Sequence, residues 1–280
     1  MIYYNSKLKG INTFMPNDKL QKSYGELDIE FVNDKLKKNF QKGCAKSFIP
    51  KNDNSVTELV TINTAGGLTT GDNFLSCFKL KNSKLCVSTQ TAEKIYSGFG
   101  NPVEIVNSIY IDNLSTLFWI PQELILFDKS KIKRKLNFEL QPKSNLFICE
   151  TIIFGRKSMN ENLENISLSD CWDIKINGKI KHYEAINFKG MIKDFLFNNT
   201  TLSNNTAFNF IFGYGESFLK KVETIEEKFL KFKNVDMGIS IWDEKFIIRS
   251  FSSDNYDLRI ALKKLLPYFY NNELPKMWDY

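Results

Sequence analysis

The residues able to do chemistry are few and scattered. The chain of 280 residues holds one histidine, His182, and five cysteines, Cys44, Cys77, Cys86, Cys149 and Cys171, with no C-x-x-C pair. A stable zinc or nickel site needs clustered histidine or cysteine ligands, and none is present in the sequence. A Ser-His-Asp site would depend on His182, and no G-x-S-x-G accompanies it. Any metal ion handled here meets carboxylates, isolated thiols, carbonyls and water, so its binding is weak and exchangeable. No catalytic residue, tightly bound cofactor or fixed metal site is expected, and the chain reads as a non-enzyme.

Two carboxylates stand in unusual settings. Asp72 closes the run Asn63-Thr-Ala-Gly-Gly-Leu-Thr-Thr-Gly-Asp72, which lies between two strand-like segments. Gly66 and Gly71 have the spacing of a phosphate-binding loop, but Asp72 and Asn73 occupy the positions where Lys and Ser or Thr are required. The plain reading is a glycine-rich loop; the sharper one is a shaped loop that presents Asp72 to a cavity or partner. Glu150 sits in Asn145-Leu-Phe-Ile-Cys-Glu-Thr-Ile-Ile-Phe-Gly-Arg156, a strand apolar on both faces. A carboxylate there is costly unless it is paired or faces trapped water. It forms either a buried salt bridge, with Arg156 or Lys94, or the polar lining of an internal passage. An enzyme of unknown substrate using Asp72 and Glu150 as paired carboxylates is the alternative, and it requires both around one pocket.

The elements that position these residues are short and numerous. Strands are expected at 56–63, 74–80, 84–91, 104–111, 116–120, 132–140, 146–154, 171–176, 179–187, 207–212, 237–242 and 245–251, separated by Asn, Gly, Lys and Ser clusters. The high content of Phe (24) and Tyr (11) favours strands. Asn177-Gly178 predicts a two-residue hairpin. That register places Asp173 opposite His182 and Trp172 opposite Tyr183, with Tyr183 on the buried face and His182 a structural residue. Helical spacing predicts helices over 216–231 and 257–270, the second capped by Asp254 or Asn255. The order excludes a doubly wound sheet and points to a mainly β sandwich, barrel or coil.

The net charge of +6 is mild for this length. The densest basic run, Lys129-Ser-Lys-Ile-Lys-Arg-Lys135, reads as a solvated strand face, with an acidic protein partner or a nucleic acid as the lesser readings. No nucleic-acid or membrane partner is expected. No apolar run approaches the roughly 20 residues that span a bilayer. The odd, dispersed cysteines suggest free thiols in a reducing compartment, hence a cytoplasmic location.

Five motifs in order resemble the UreD (UreH) family of urease accessory proteins. They are the loop ending at Asp72; Ser88-Thr-Gln-Thr-Ala-Glu-Lys-Ile-Tyr96; Leu117-Phe-Trp-Ile-Pro-Gln-Glu-Leu-Ile-Leu-Phe-Asp128; Glu150 with Gly155-Arg-Lys-Ser-Met-Asn-Glu161; and Arg249 with Pro275-Lys-Met-Trp278. Thr64-Ala65, Asn160 and Lys276 depart from the family's usual residues. The resemblance covers nearly the whole chain as one domain over 1–280. It implies a mainly β, β-helix-like fold of layered sheets with about two α-helices. It further implies a nickel-insertion chaperone that assembles with UreF and the GTPase UreG on the urease apoprotein (UreABC-type subunits). Nickel would pass in transit along an internal passage. By that resemblance Asp72 and Glu150 are the passage candidates. Gly66, Gly67, Gly71, Lys94, Tyr96, Trp119, Pro121, Arg156, Glu161, Arg249 and Trp278 are the partner or structural positions.

Overall fold

A computed structural model describes residues 21–51, 56–155, 163–225 and 231–279. The described chain begins with an antiparallel hairpin, β1 (Tyr24–Val32) and β2 (Lys35–Gly43), and a short β3 (Ala45–Phe48). There follow β4 (Thr57–Asn63), β5 (Asn73–Lys81), β6 (Lys84–Gln90), β7 (Glu93–Ile95), β8 (Val103–Ile111), β9 (Thr116–Trp119) and β10 (Leu124–Leu126). Next come β11 (Lys131–Leu140), β12 (Asn145–Phe154), β13 (Asn165–Ile176), β14 (Lys179–Met191) and α1 (Ile192–Leu196). The chain closes with β15 (Ala207–Tyr214), α2 (Glu216–Glu223), β16 (Asp236–Trp242), β17 (Lys245–Ser252), α3 (Asn255–Phe269) and α4 (Lys276–Asp279).

The strands form two facing sheets. One has the order β14-β13-β11-β8-β5-β1-β2, and the other β16-β17-β15-β12-β9-β6-β4-β3, with β10 beside β12 and β7 beside β10. From β4 to β13 the long strands alternate between the sheets, and neighbours within a sheet run parallel. Parallel neighbours need a crossover. Here the crossover is a strand of the opposite sheet, so the chain coils as in a β-helix and the mainly β, layered expectation is met.

Burial follows from this coiling. In the first sheet alternate residues point inward, as in β1 (Leu27, Ile29, Phe31) and β11 (Ile132, Leu136, Phe138). The second sheet is covered on its outer face too, where Phe118, Phe147 and Phe246 meet Phe218, Leu262, Phe269 and Trp278 from the helices and the terminal segment. Hence β12 is buried on both faces, as its sequence predicts. Fully burying one such side chain is worth about 1.5–3 kcal/mol.

The structure corrects the sequence reading in three places. The strands β1, β2, β3, β7 and β10 were not anticipated. The first long helix ends at Glu223, where the Thr224 amide turns back to Lys221 and Val222 and its hydroxyl bonds the Lys220 and Lys221 carbonyls. The Asn177-Gly178 turn forms, with both residues at positive φ (49° and 74°), but the register beyond it differs. A β-bulge leaves Lys181 unpaired, placing His182 opposite Ile174, Asp173 opposite Tyr183 and Trp172 opposite Glu184. The bulged carbonyl of Lys181 accepts from Lys245 Nζ at 2.8 Å, which satisfies it. The extra residue reverses the phase of β14, so Tyr183 is 57% exposed and His182 points inward.

Candidate functional site

Glu150 points from β12 into the gap between the sheets, in phase with Leu146, Ile148 and Ile152. Facing it is Arg134 of β11. Lys131, Lys133 and Lys135 lie on the outer face of this strand as the basic run predicts, but Arg134 is in phase with Ile132 and Leu136 and is only 6% exposed. The parallel register of β11 and β13 sets Asp170 beside Arg134. The three side chains form a buried ion triad. Arg134 Nη1 donates to Glu150 Oε2 at 2.7 Å, while Nε and Nη2 fork onto Asp170 at 2.9 and 2.6 Å. The Trp119 indole donates to the other Glu150 oxygen at 2.7 Å. Among the described residues Glu150 is thus partnered by Arg134 and Trp119 and not by Lys94, and the buried salt bridge and the cavity lining occur together. Burial raises the Glu150 pKa against the pull of Arg134 and Trp119. Burial also opposes the charge on Arg134, but Asp170 and Glu150 more than offset it, so the guanidinium stays protonated.

Between the sheets lies a cavity of about 160 Å³, lined by Glu150, Arg134 and Trp119 at one side and by Thr61, Asn63, Thr89, Gln122, Glu93 and Lys94 at another. Ser76 and Asn107, register neighbours on β5 and β8, add a hydrogen-bonded polar pair to the wall. Glu93 accepts from Asn63 Nδ2 at 3.0 Å, yet burial pushes its carboxyl up to about 7. On the other side of the triad is a void of about 10 Å³ lined by Glu150, Asp170, Trp172, Glu184, Phe208 and Phe210. Glu184 accepts from Arg249 at 2.7 Å and lies 3.4 Å from His182 Nε2. His182 itself stacks on Phe212, with ring centroids 5.3 Å apart. A line of polar groups therefore crosses an otherwise apolar core, from Glu93 through the triad to Glu184 and Arg249.

The remaining predicted residues divide around this cavity. Gly66, Gly67, Lys94 and Pro121 line it. At Gly67 (φ 135°) a Cβ would come within 2.5 Å of the Tyr96 ring, so glycine there allows Tyr96 to pack on the loop. Gly71 (φ 86°) turns the loop back under Lys22. Asp72 does not line the cavity. Its two oxygens accept from the Ser23 and Thr69 amides, each at 2.7 Å, so it braces the loop against the start of β1. The paired-carboxylate enzyme reading, which needs Asp72 and Glu150 around one pocket, is not what the geometry offers. Trp278 is buried on the outer side of the second sheet, where it donates to Ile120 O at 3.1 Å beneath Arg259. Gln122 ties this terminal segment to the cavity wall by donating to Met277 O at 2.7 Å. Arg156 and Glu161 lie outside the described residues. Sequence reasoning missed Arg134, Asp170, Glu93 and Glu184. The arginine was detectable as the one inward-phase charge among outward lysines; Asp170 becomes visible only with the parallel register.

Among the described residues no three His, Cys, Asp or Glu side chains converge as a metal-holding group, and no helix is long and apolar enough to cross a membrane. The profile of the family described as UreD urease accessory protein matches residues 23–278. A protein of Rhizobium rhizogenes named urease accessory protein UreD is 32% identical over 250 residues, which cover 88% of this chain and 89% of the relative. Relatives of the same name from Rhizobium leguminosarum bv. viciae and bv. trifolii are 30% and 31% identical over the same shares. With the match running from β1 to the terminal Trp278, the chain belongs to the UreD family of urease accessory proteins.

Proposed function

We propose that this chain works with UreF and the GTPase UreG to insert nickel into the urease apoprotein, and that the gap between its sheets forms part of the route the ion takes. It acts as a cytoplasmic scaffold, without a reaction of its own and without a resident cofactor; nickel is its cargo. The observation that carries this reading is the polar line through the core. Burying an ion triad costs several kcal/mol per ion in desolvation before its attractions repay it, and an apolar set of similar volume is often as stable or more so. Beside a cavity, such a triad is better explained by what it handles than by what it stabilises. A pair of carboxylates held by a guanidinium rather than by a resident metal suits this role, since conduction requires release as much as capture.

The test is substitution of Glu150 in cells that co-express UreF, UreG and the urease subunits. Glu150→Gln keeps the shape and the Trp119 contact but removes the charge. The expected result is a folded chain that still co-purifies with UreF, while urease activity and nickel content fall severalfold. Full activation by a folded Glu150→Gln variant would sink the proposal. Glu150→Ala is the harsher variant. It leaves the indole without its acceptor and is expected to cost about 3–5 kcal/mol, the usual penalty for breaking a buried pair.

A further inference from the structure

We propose that Arg134 is a tethered counter-ion that gates this route, and that a divalent cation crosses by taking Glu150 and Asp170 from the guanidinium. The inference rests on the passage reading above and adds its mechanism. Among the described residues Glu150 alone lines both the cavity and the small void; Arg134 belongs to the cavity side and Asp170 to the void side. The triad is therefore the partition between them. The void beyond holds about 10 Å³, the room of a single water. Phe208, Phe210 and Trp172 wall it, so the guanidinium occupies the polar point of crossing.

Charge decides what can replace it. With Arg134 in place the triad holds one positive and two negative charges. When the guanidinium withdraws, two buried carboxylates are left without a counter-ion, which is strongly unfavourable. A divalent cation compensates both at once, whereas a monovalent one does no better than the arginine it displaces. Glu150 is also held ready by another contact. The Trp119 indole fixes Glu150 through the oxygen that Arg134 does not use. The guanidinium has somewhere to go, because its own side opens into the larger cavity, whose wall carries Ser76, Asn107 and Glu93. Three features thus meet at one residue: a long side chain, a neighbouring space, and two carboxylates that face a void on the other side. A lysine could not replace it equally, since the fork onto Asp170 and the bond to Glu150 need three separate N–H donors in one plane.

The experiment is nickel titration of the full-length chain by calorimetry, with magnesium and sodium as comparison ions. Arg134→Met removes the tethered charge and should bind one nickel ion per chain about tenfold more tightly than the parent, or better. The same variant should gain thermal stability with nickel and not with sodium. Adding Glu150→Gln to it should abolish the gain. Arg134→Lys keeps a positive charge and the fold but lacks the fork, and should fall between the two. A folded Arg134→Lys chain that binds nickel no more tightly than the parent would overturn the proposal, as would a gain that survives Glu150→Gln. Should Arg134→Met fold only with nickel present, that metal dependence is itself the expected exchange; recovery with sodium alone would count against it. Urease activation separates this inference from the one beneath it. Tight nickel binding by Arg134→Met together with normal activation would keep the exchange site and remove the passage, whereas weak binding together with lost activation would keep the passage and remove the gate.

Discussion

Glu93 and Glu150 line the same cavity under different constraints. Glu150 is pulled toward its charged form by a guanidinium and an indole; Glu93 has the Asn63 amide and the Lys94 backbone against burial, and its pKa rises from 4.5 to about 7. A raised carboxyl binds its proton more tightly in the folded chain than in the unfolded one. Between pH 4.5 and 7 the folded state therefore holds more protons, and stability falls as pH rises through that window. Glu93→Gln removes the titration while keeping an oxygen for Asn63. The variant's Tm minus that of the parent should be small near pH 4.5, grow through the window and level off above about 7; a pH-independent difference would contradict this. What was legible at this scale was Glu150, because a carboxylate inside a strand apolar on both faces has no inexpensive explanation. The inward phase of Arg134 was also written in Ile132, Leu136 and Phe138. Its partner was not, because Asp170 lies 36 residues along the chain and reaches Arg134 only through strand pairing.

Elements were legible where their signals are local. The twelve expected strands all form, since alternation and turn residues act within a few positions. The helix α3 begins where its cap predicts: the Asp254 side chain accepts from the Tyr256 amide at 2.9 Å. Asp254→Ala should cost about 1 kcal/mol in denaturant unfolding, the usual value of such a cap, with the m-value unchanged. No loss of stability would mean that the packing of Leu258, Ala261, Leu262 and Leu265 under α3 alone fixes its start. The bulge in β14 was illegible for the opposite reason. Asn177-Gly178 specifies a tight turn and nothing more, while the bulge is stabilised from a distance. Lys245 accepts the displaced strand by donating to the Lys181 carbonyl, and Asp243 and Glu244 hold the Lys181 ammonium at 3.0 and 3.2 Å. That single inserted residue is what turns His182 and Glu184 into the inter-sheet gap and so extends the polar line to Arg249.

At the scale of the molecule, coiling means that each strand touches mainly the strands beside it and those facing it, as in other stacked architectures. The order of strands was not readable in advance because parallel neighbours come from separate turns of the coil. The outer hairpin was hidden further by its composition, since β2 (KLKKNFQKG) is lysine-rich and largely exposed. That composition is a common way to blunt a free edge. Stability should be graded accordingly. The strand β12 has paired neighbours on each side and is covered on both faces, whereas β2 and β16 are terminal strands with mostly exposed side chains. Opening an edge strand forfeits one ladder and little apolar burial; opening β12 breaks the core on both faces of the second sheet. Native-state hydrogen exchange should therefore find the amides of β12 and β15 exchanging only through global unfolding, and those of β2 and β16 exchanging through local opening at lower free energy. Glu150 sits on the most protected strand and Arg134 on a central strand of the facing sheet. The gap between them is then framed by the least mobile backbone in the molecule, leaving the side chains as the moving parts. Equal protection of β2 and β12 would instead describe one cooperative unit. Fast exchange in β12 would remove the rigid frame that a side-chain gate requires.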